Sequence, residues 1–326
     1  MKPLSAVAIF TACTAILLGQ APPETILTIE ADKTVFYYDD LADPTKKATS
    51  LTPLPVSALP NFMSAFILAD IVTINGKPAR GAIVARGAQL VLRDAPTAGQ
   101  GIADVVRNNL SDFHFEIQQA DSTPIGSIVA MGLGAGNPPL DAPTSASAGN
   151  FVVVGGTGAF QGVRGSAATV SAVLRSASMA ENPINRRINT APGIWKVVVH
   201  LIPMIRPAVT AVFHGEDFSP VTPENPARAG EWLVMSAIGL GSTRPRLDPG
   251  QPFPEWVAGK EYLVNSPLEV RVGGLPAEVR NAIGWPGQTN IYRVDFRVPD
   301  GVKPGLVSLA LTAAWIAGPE VKIPVQ

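Results

Sequence analysis

The 326-residue chain reads as an all-β protein made of two strand-rich units in series. Three observations lead there. The run Asn150-Phe151-Val152-Val153-Val154-Gly155-Gly156-Thr157-Gly158-Ala159-Phe160-Gln161-Gly162-Val163-Arg164-Gly165 sets a valine strand against a glycine-dense turn. Residues 111–118 alternate cleanly, with Phe113, Phe115 and Ile117 on one face and Asp112, His114 and Glu116 on the other. Thirty glycines and 31 prolines separate Val- and Thr-rich runs. They act as punctuation, and stay below the combined level of roughly 25–30% that signals disorder.

The elements follow in order. Residues 26–29 and 34–38 open the first unit, and 39–60 form a polar, proline-bearing loop without periodicity. Strands 66–74 and 82–92 flank Asn75-Gly76-Lys77-Pro78, a hairpin turn because Asn and Gly tolerate positive φ. Residues 102–109 fit a helical turn or a strand equally well. After strand 111–118, Asp121-Ser122-Thr123-Pro124 turns the chain into 125–131. Strands 151–154, 167–174 and 195–201 complete the unit. The pattern changes around Ile205-Arg206-Pro207. Strands at 209–213, 232–237, 268–272, 291–298, 307–312 and 321–325 follow, separated by proline-rich loops such as 247–254. Strands at that spacing over about 120 residues suggest an antiparallel sandwich of immunoglobulin type.

Residues 1–21 have the pattern of a secretory signal: Lys2 in the n-region, an apolar stretch, then small residues before Pro22-Pro23. The stretch is short for a membrane span, although an uncleaved anchor is the alternative, and no second apolar run of spanning length follows. The expected organisation is a signal at 1–21, a barrel at 22–205 and a sandwich at 206–326. The expected location is periplasmic or extracellular. Cys13 is the only cysteine, so the processed chain would hold neither a disulfide nor a catalytic thiol. A net charge of −1 offers no handle for nucleic acid or an anionic membrane.

The glycine run also matches a phosphate loop ahead of a helix, as in dinucleotide-binding folds. The residues that follow oppose this. Gly162 and Gly165 would each cost a helix interior roughly 1 kcal/mol, and Thr169-Val170-Ser171-Ala172-Val173 alternates like a strand. No acidic residue ends a second strand about 20 residues on, where a ribose partner belongs.

The stretch from Phe151 to Gly165 resembles the closing hairpin of the dirigent and allene oxide cyclase families, and Phe66-Ile67-Leu68-Ala69-Asp70-Ile71-Val72 resembles an early strand of such proteins. The likeness covers about residues 60–175. It implies an eight-stranded antiparallel barrel around an apolar cavity, assembled into trimers in plant members. The second unit is similar to a C-terminal domain of secreted proteins from Acidobacteria-like soil bacteria, through Phe218-Ser219-Pro220-Val221, Gly230-Glu231, Gly239-Leu240-Gly241, Val270-Arg271-Val272-Gly273-Gly274 and Tyr292-Arg293-Val294-Asp295-Phe296-Arg297-Val298-Pro299. That resemblance implies an immunoglobulin-like fold and a role in attachment or presentation.

By resemblance, Asp70 matches the dirigent strand motif and is the candidate catalytic acid; a carboxyl in an apolar cavity can stay protonated near neutral pH. A solvated aspartate on the barrel's outside is the plainer alternative. Asp112, His114 and Glu116 share a strand face and would form an acid–base or ligand-binding row if that face lined the cavity. Otherwise the phenylalanines point inward and the row meets water. Arg107 and Arg164 are candidates for holding a carboxylate ligand, against simple ion pairing. His200 and His214 form no ligand spacing with His114, so no metal site and no cofactor is expected. No serine sits in a nucleophile elbow. Trp232, Trp256 and Trp285 are either a sugar-stacking surface or packing residues. Three functions stay open: a secreted protein binding a small apolar or phenolic molecule in the barrel, an isomerase- or cyclase-like enzyme steering a reactive intermediate there, and a non-catalytic cell-surface structural protein.

Overall fold

The computed structural model describes residues 25–40, 63–90, 108–134, 150–173, 175–176, 184, 193–248, 250–257 and 259–326. The signal segment, nearly all of the 39–60 loop, Arg107 and most of the 102–109 stretch lie outside the described residues. Every described element is a β-strand.

The first sheet comprises β1 (Thr25–Asp40), β2 (Met63–Ile74), β3 (Lys77–Leu90), β4 (Asn108–Gln119), β5 (Pro124–Gly134), β6 (Asn150–Gly158), β7 (Arg164–Val173) and β9 (Ile194–Ile202). The two-residue β8 (Arg175–Ser176) lies parallel to β1. Neighbours pair antiparallel along the chain, β9 pairs with both β7 and β1, and β1 pairs with β2. The result is a closed eight-stranded barrel without a free edge. One ring of paired positions runs Ile26, His200, Ser166, Val152, Met131, Asp112, Arg86, Phe66 and back to β1 at Tyr37. The ring returns far along β1 from where it started, and that stagger tilts the strands against the barrel axis. The expected pair of opening strands is a single strand. A bulge at Lys33, with φ 49°, shifts the register between Asp32 and Val35 and lets one strand bend around the barrel.

The glycine run is the hairpin from β6 to β7. Gly158 has φ +61°, and a Cβ there would collide with the Ile125 carbonyl. The Ala159 N–H donates to that carbonyl, and the following turn tucks Phe160, fully buried, beneath the barrel. A strand follows, not a helix, so the nucleotide reading fails on structure as well.

The interior is packed with side chains. Phe113 contacts Phe151 at 4.3 Å and Trp195 at 5.6 Å between ring centroids. Alanines stand beside these rings: Ala85 and Ala130 pair with Phe113, Ala167 with Phe151, and Ala31 with Trp195. Large and small residues thus interlock across the ladder, which is how a small barrel fills its tapering lumen. Phe115, Ile83 and Ile128 fill the next level, all at 0% exposure. The apolar cavity expected from the family resemblance is occupied at these levels by the chain's own aromatic residues.

The second sheet comprises β10 (Ala208–His214), β11 (Trp232–Ile238), β12 (Thr243–Arg244), β13 (Leu263–Val264), β14 (Leu268–Val272), β15 (Leu275–Gly284), β16 (Tyr292–Arg297), β17 (Gly305–Ala313), β18 (Ile316–Ala317) and β19 (Val321–Val325). Its hydrogen-bonded path runs β10-β11-β16-β15-β14-β17-β18, with β19 also on β17. The sheet is open and curls around its own core, which includes Leu233, Met235, Val270, Val294, Phe296, Leu309 and Leu311. Strand β15 makes the corner: residues 278–284 pair with β16, and 275–277 pair with β14. A bulge between Val279 and Asn281 allows the bend.

The two sheets meet at the barrel's base. The turn between β17 and β18 places Ala314 and Ile316, at 0% and 2% exposure, in the same apolar cluster as the barrel interior, with Trp315 packed against it. Both Ala314 (φ 47°) and Trp315 (φ 64°) hold a left-handed backbone, strain that persists only where surrounding contacts dictate it. Polar contacts reinforce the seam. Gln119 Nε2 donates to Asn265 O at 2.6 Å, Arg244 Nη1 donates to Thr123 Oγ1 at 2.9 Å, and Lys77 pairs with Glu269.

Candidate functional site

The position of each candidate side chain follows from the period of two set by the packed interior. Ala69 and Ile71 point inward, so Asp70 points outward. Lys33 Nζ lies 3.6 Å from Asp70 Oδ2, and the Asp70 side chain is 38% exposed. A proton-donating Asp70 requires an apolar enclosure, and among the described residues the outer face of β2 supplies none. The same logic turns out the row on β4. Phe113, Phe115 and Ile117 are buried in the lumen, while His114 and Glu116 are exposed and Asp112 is half-buried. Asp112 Oδ2 accepts from Arg86 Nη2 at 2.7 Å. His114 stands between Val84 and Val129 on the neighbouring strands, and Glu116 between Ala82 and Ser127. The condition on which this row was a candidate, that its face lines the cavity, is therefore not met.

Arg164 is exposed at the start of β7, where Nη1 donates to Val154 O at 2.6 Å and to Val163 O at 3.0 Å. It ties the glycine hairpin together at its neck. Arg107 lies outside the described residues. The structure thus spreads the described candidates over the outer faces of β2, β4 and β7, and gathers none of them into one pocket. Trp232 carries Arg280 over its ring at 4.5 Å, and Trp285 meets the Phe213 ring edge at 6.3 Å. Among the described residues no group of three His, Cys, Asp or Glu side chains is placed to hold a metal ion. No helix among them is long and apolar enough to cross a membrane.

Two places were not singled out from sequence. One is a cleft of about 170 Å³ at the seam between the sheets, lined in part by Trp315, Gln118 and Thr312. The other surrounds His214, buried at the end of β10. Its Nδ1 lies 2.5 Å from Glu231 Oε1, and its Nε2 lies 3.2 Å from Asn225 O. Glu231 Oε2 also accepts the Arg228 N–H at 2.8 Å. Both ring nitrogens therefore face acceptors, and only the doubly protonated ring can donate to both. Burial alone would push the His214 pKa down. The hydrogen bonds to Glu231 and Asn225, with the charges of Glu231 and Asp217, outweigh that and hold it above the ordinary value of 6.5.

A raised folded-state pKa sets the sign of the pH effect. The stabilisation is fully present below the unfolded value, about 6.5, and is lost as pH rises through the higher folded value. The melting temperature should therefore fall as pH rises from slightly acid to mildly alkaline. A His214→Gln variant should show a flatter profile over that window; an unchanged slope would remove His214 as its source.

No family model, curated protein or solved structure matches this chain. The class defined by the fold is all-β: a closed eight-stranded antiparallel barrel joined to a second, open and curled sheet.

Proposed function

We propose that this chain is a secreted, non-catalytic structural protein of the bacterial cell surface, with the barrel as a solid body and the second sheet as its attachment or assembly part. The observation that supports this reading is the packed lumen: Phe113, Phe151 and Trp195 interlock at its middle, with alanines beside them. A dirigent-like or allene oxide cyclase-like ancestry of the barrel, and an immunoglobulin-like ancestry of the second sheet, belong to the same proposal and rest on the sequence resemblances. Secretion rests on the pattern of residues 1–21. Self-association through the barrel, as a trimer by the resemblance, would use its outer face, because a closed barrel has no edge to offer. That face carries Phe66, Met131 and Val152 at 46%, 47% and 58% exposure, in one ring with the self-neutralising Arg86–Asp112 pair.

A second reading, binding of a small phenolic molecule, is favoured by one observation. Near the bulge of β1, Asp32 Oδ1 and Thr34 Oγ1 are buried without a hydrogen-bond partner among the described residues. Two such atoms are expensive to leave unmet, and a phenolic O–H would satisfy one of them. Titration calorimetry with simple phenols and with a short fatty acid separates the readings. The structural role predicts no saturable heat. Stoichiometric binding that is lost in Asp32→Asn would replace it with the ligand-binding role.

A further inference from the structure

We propose that the cleft at the seam between barrel and second sheet binds a single uncharged sugar ring. This reading is independent of the role assigned to the barrel lumen. Pro78 from β3 and Pro267 from the loop before β14 form part of the walls, and Ala79 and Ile125, at 5% and 1% exposure, lie among the lining residues as its buried part. A volume of about 170 Å³ is below the roughly 300–1,000 Å³ of drug-sized sites, and suits a ligand of one ring.

The chemistry of the lining narrows the ligand. Trp315 offers a broad aromatic wall and an indole N–H. Gln118 and Thr312 add an amide and a hydroxyl, and no side-chain hydrogen bond within the described residues uses them. Gln119, also in the lining, has one amide hydrogen committed to Asn265 O. The only charged residues in the lining, Lys77 and Glu269, are exposed and pair with each other. The wall is therefore electrically balanced. An anion or a cation gains nothing there, whereas a ring with an apolar face and a rim of hydroxyls meets both kinds of surface. The left-handed backbone at Ala314 and Trp315 is the third observation. A bulky residue rarely adopts positive φ, and here that conformation delivers the indole to the seam. Outliers of this kind cluster at binding sites.

The test uses the full chain and its intrinsic tryptophan fluorescence. Glucose, galactose and N-acetylglucosamine are titrated to high millimolar concentration, with the open-chain polyol sorbitol as control, and heats are measured in parallel. At least one ring sugar should bind saturably and sorbitol should not. In the double variant Gln118→Ala/Thr312→Val, the affinity should fall at least tenfold while the melting temperature stays within a degree or two of the parent. Absence of saturable binding by all three sugars overturns the proposal. Binding that the double variant leaves intact overturns it equally, since the sugar would then sit elsewhere.

Discussion

A Phe113→Ala variant is expected to lose about 3–5 kcal/mol of folding stability, the range for removing a buried aromatic ring. Phe113 is 5% exposed and meets both Phe151 and Trp195, so its loss opens a hole at the middle of the barrel. The flanking Ala85 and Ala130 have no reach with which to fill it. Urea unfolding monitored by fluorescence gives the loss directly. The same variant should acquire something the parent lacks: benzene or toluene should raise its melting temperature and leave that of the parent unchanged. A loss below about 1 kcal/mol would mean that the lumen is not packed as described.

The second large effect lies in the other sheet. Ile316→Ala should cost about 2–5 kcal/mol, the range for truncating a buried isoleucine, and the damage should register in the barrel. Ile316 belongs to β18, yet its side chain is part of the barrel's apolar cluster. Hydrogen exchange locates the effect. Amides at the base of the barrel, around Ile74, Ile117 and Leu201, should lose protection along with those of β17 and β18. Loosening confined to the second sheet would show that the turn rests on the barrel without completing it.

Much of this architecture was legible before any coordinates. Strand β4 was plain because its phenylalanines alternate with charged residues, and the glycine hairpin was plain because Gly162 and Gly165 are costly in a helix and residues 169–173 alternate like a strand. The inward face was open for β4, between its phenylalanines and its charged row, and illegible for β2. There Phe66, Ile67, Leu68, Ala69, Ile71 and Val72 make a nearly continuous apolar run, and only the fold reveals that Asp70 lies outside. Strand β15 escaped notice because Pro276 and a bulge break its period while it turns a corner. The seam was hidden for a different reason. Ala314-Trp315 carries none of the Asn or Gly signals of a two-residue hairpin turn; tertiary contacts impose its shape. The His214–Glu231 pair joins residues 17 positions apart across a loop, a contact that no local pattern announces.

The way the barrel shuts has a consequence for how the chain acquires its shape. Strand β1 finds one partner early, in β2, but its other edge pairs with β9, where Ile26 meets His200. The oldest strand to emerge during synthesis must wait for the youngest of its set, with one hydrogen-bonding edge exposed in the meantime. Closing so long a loop is slow, and an open edge invites other chains. Stretches such as Thr25–Asp40 are thus the natural clients of whatever holdase meets the chain before Ile202 arrives.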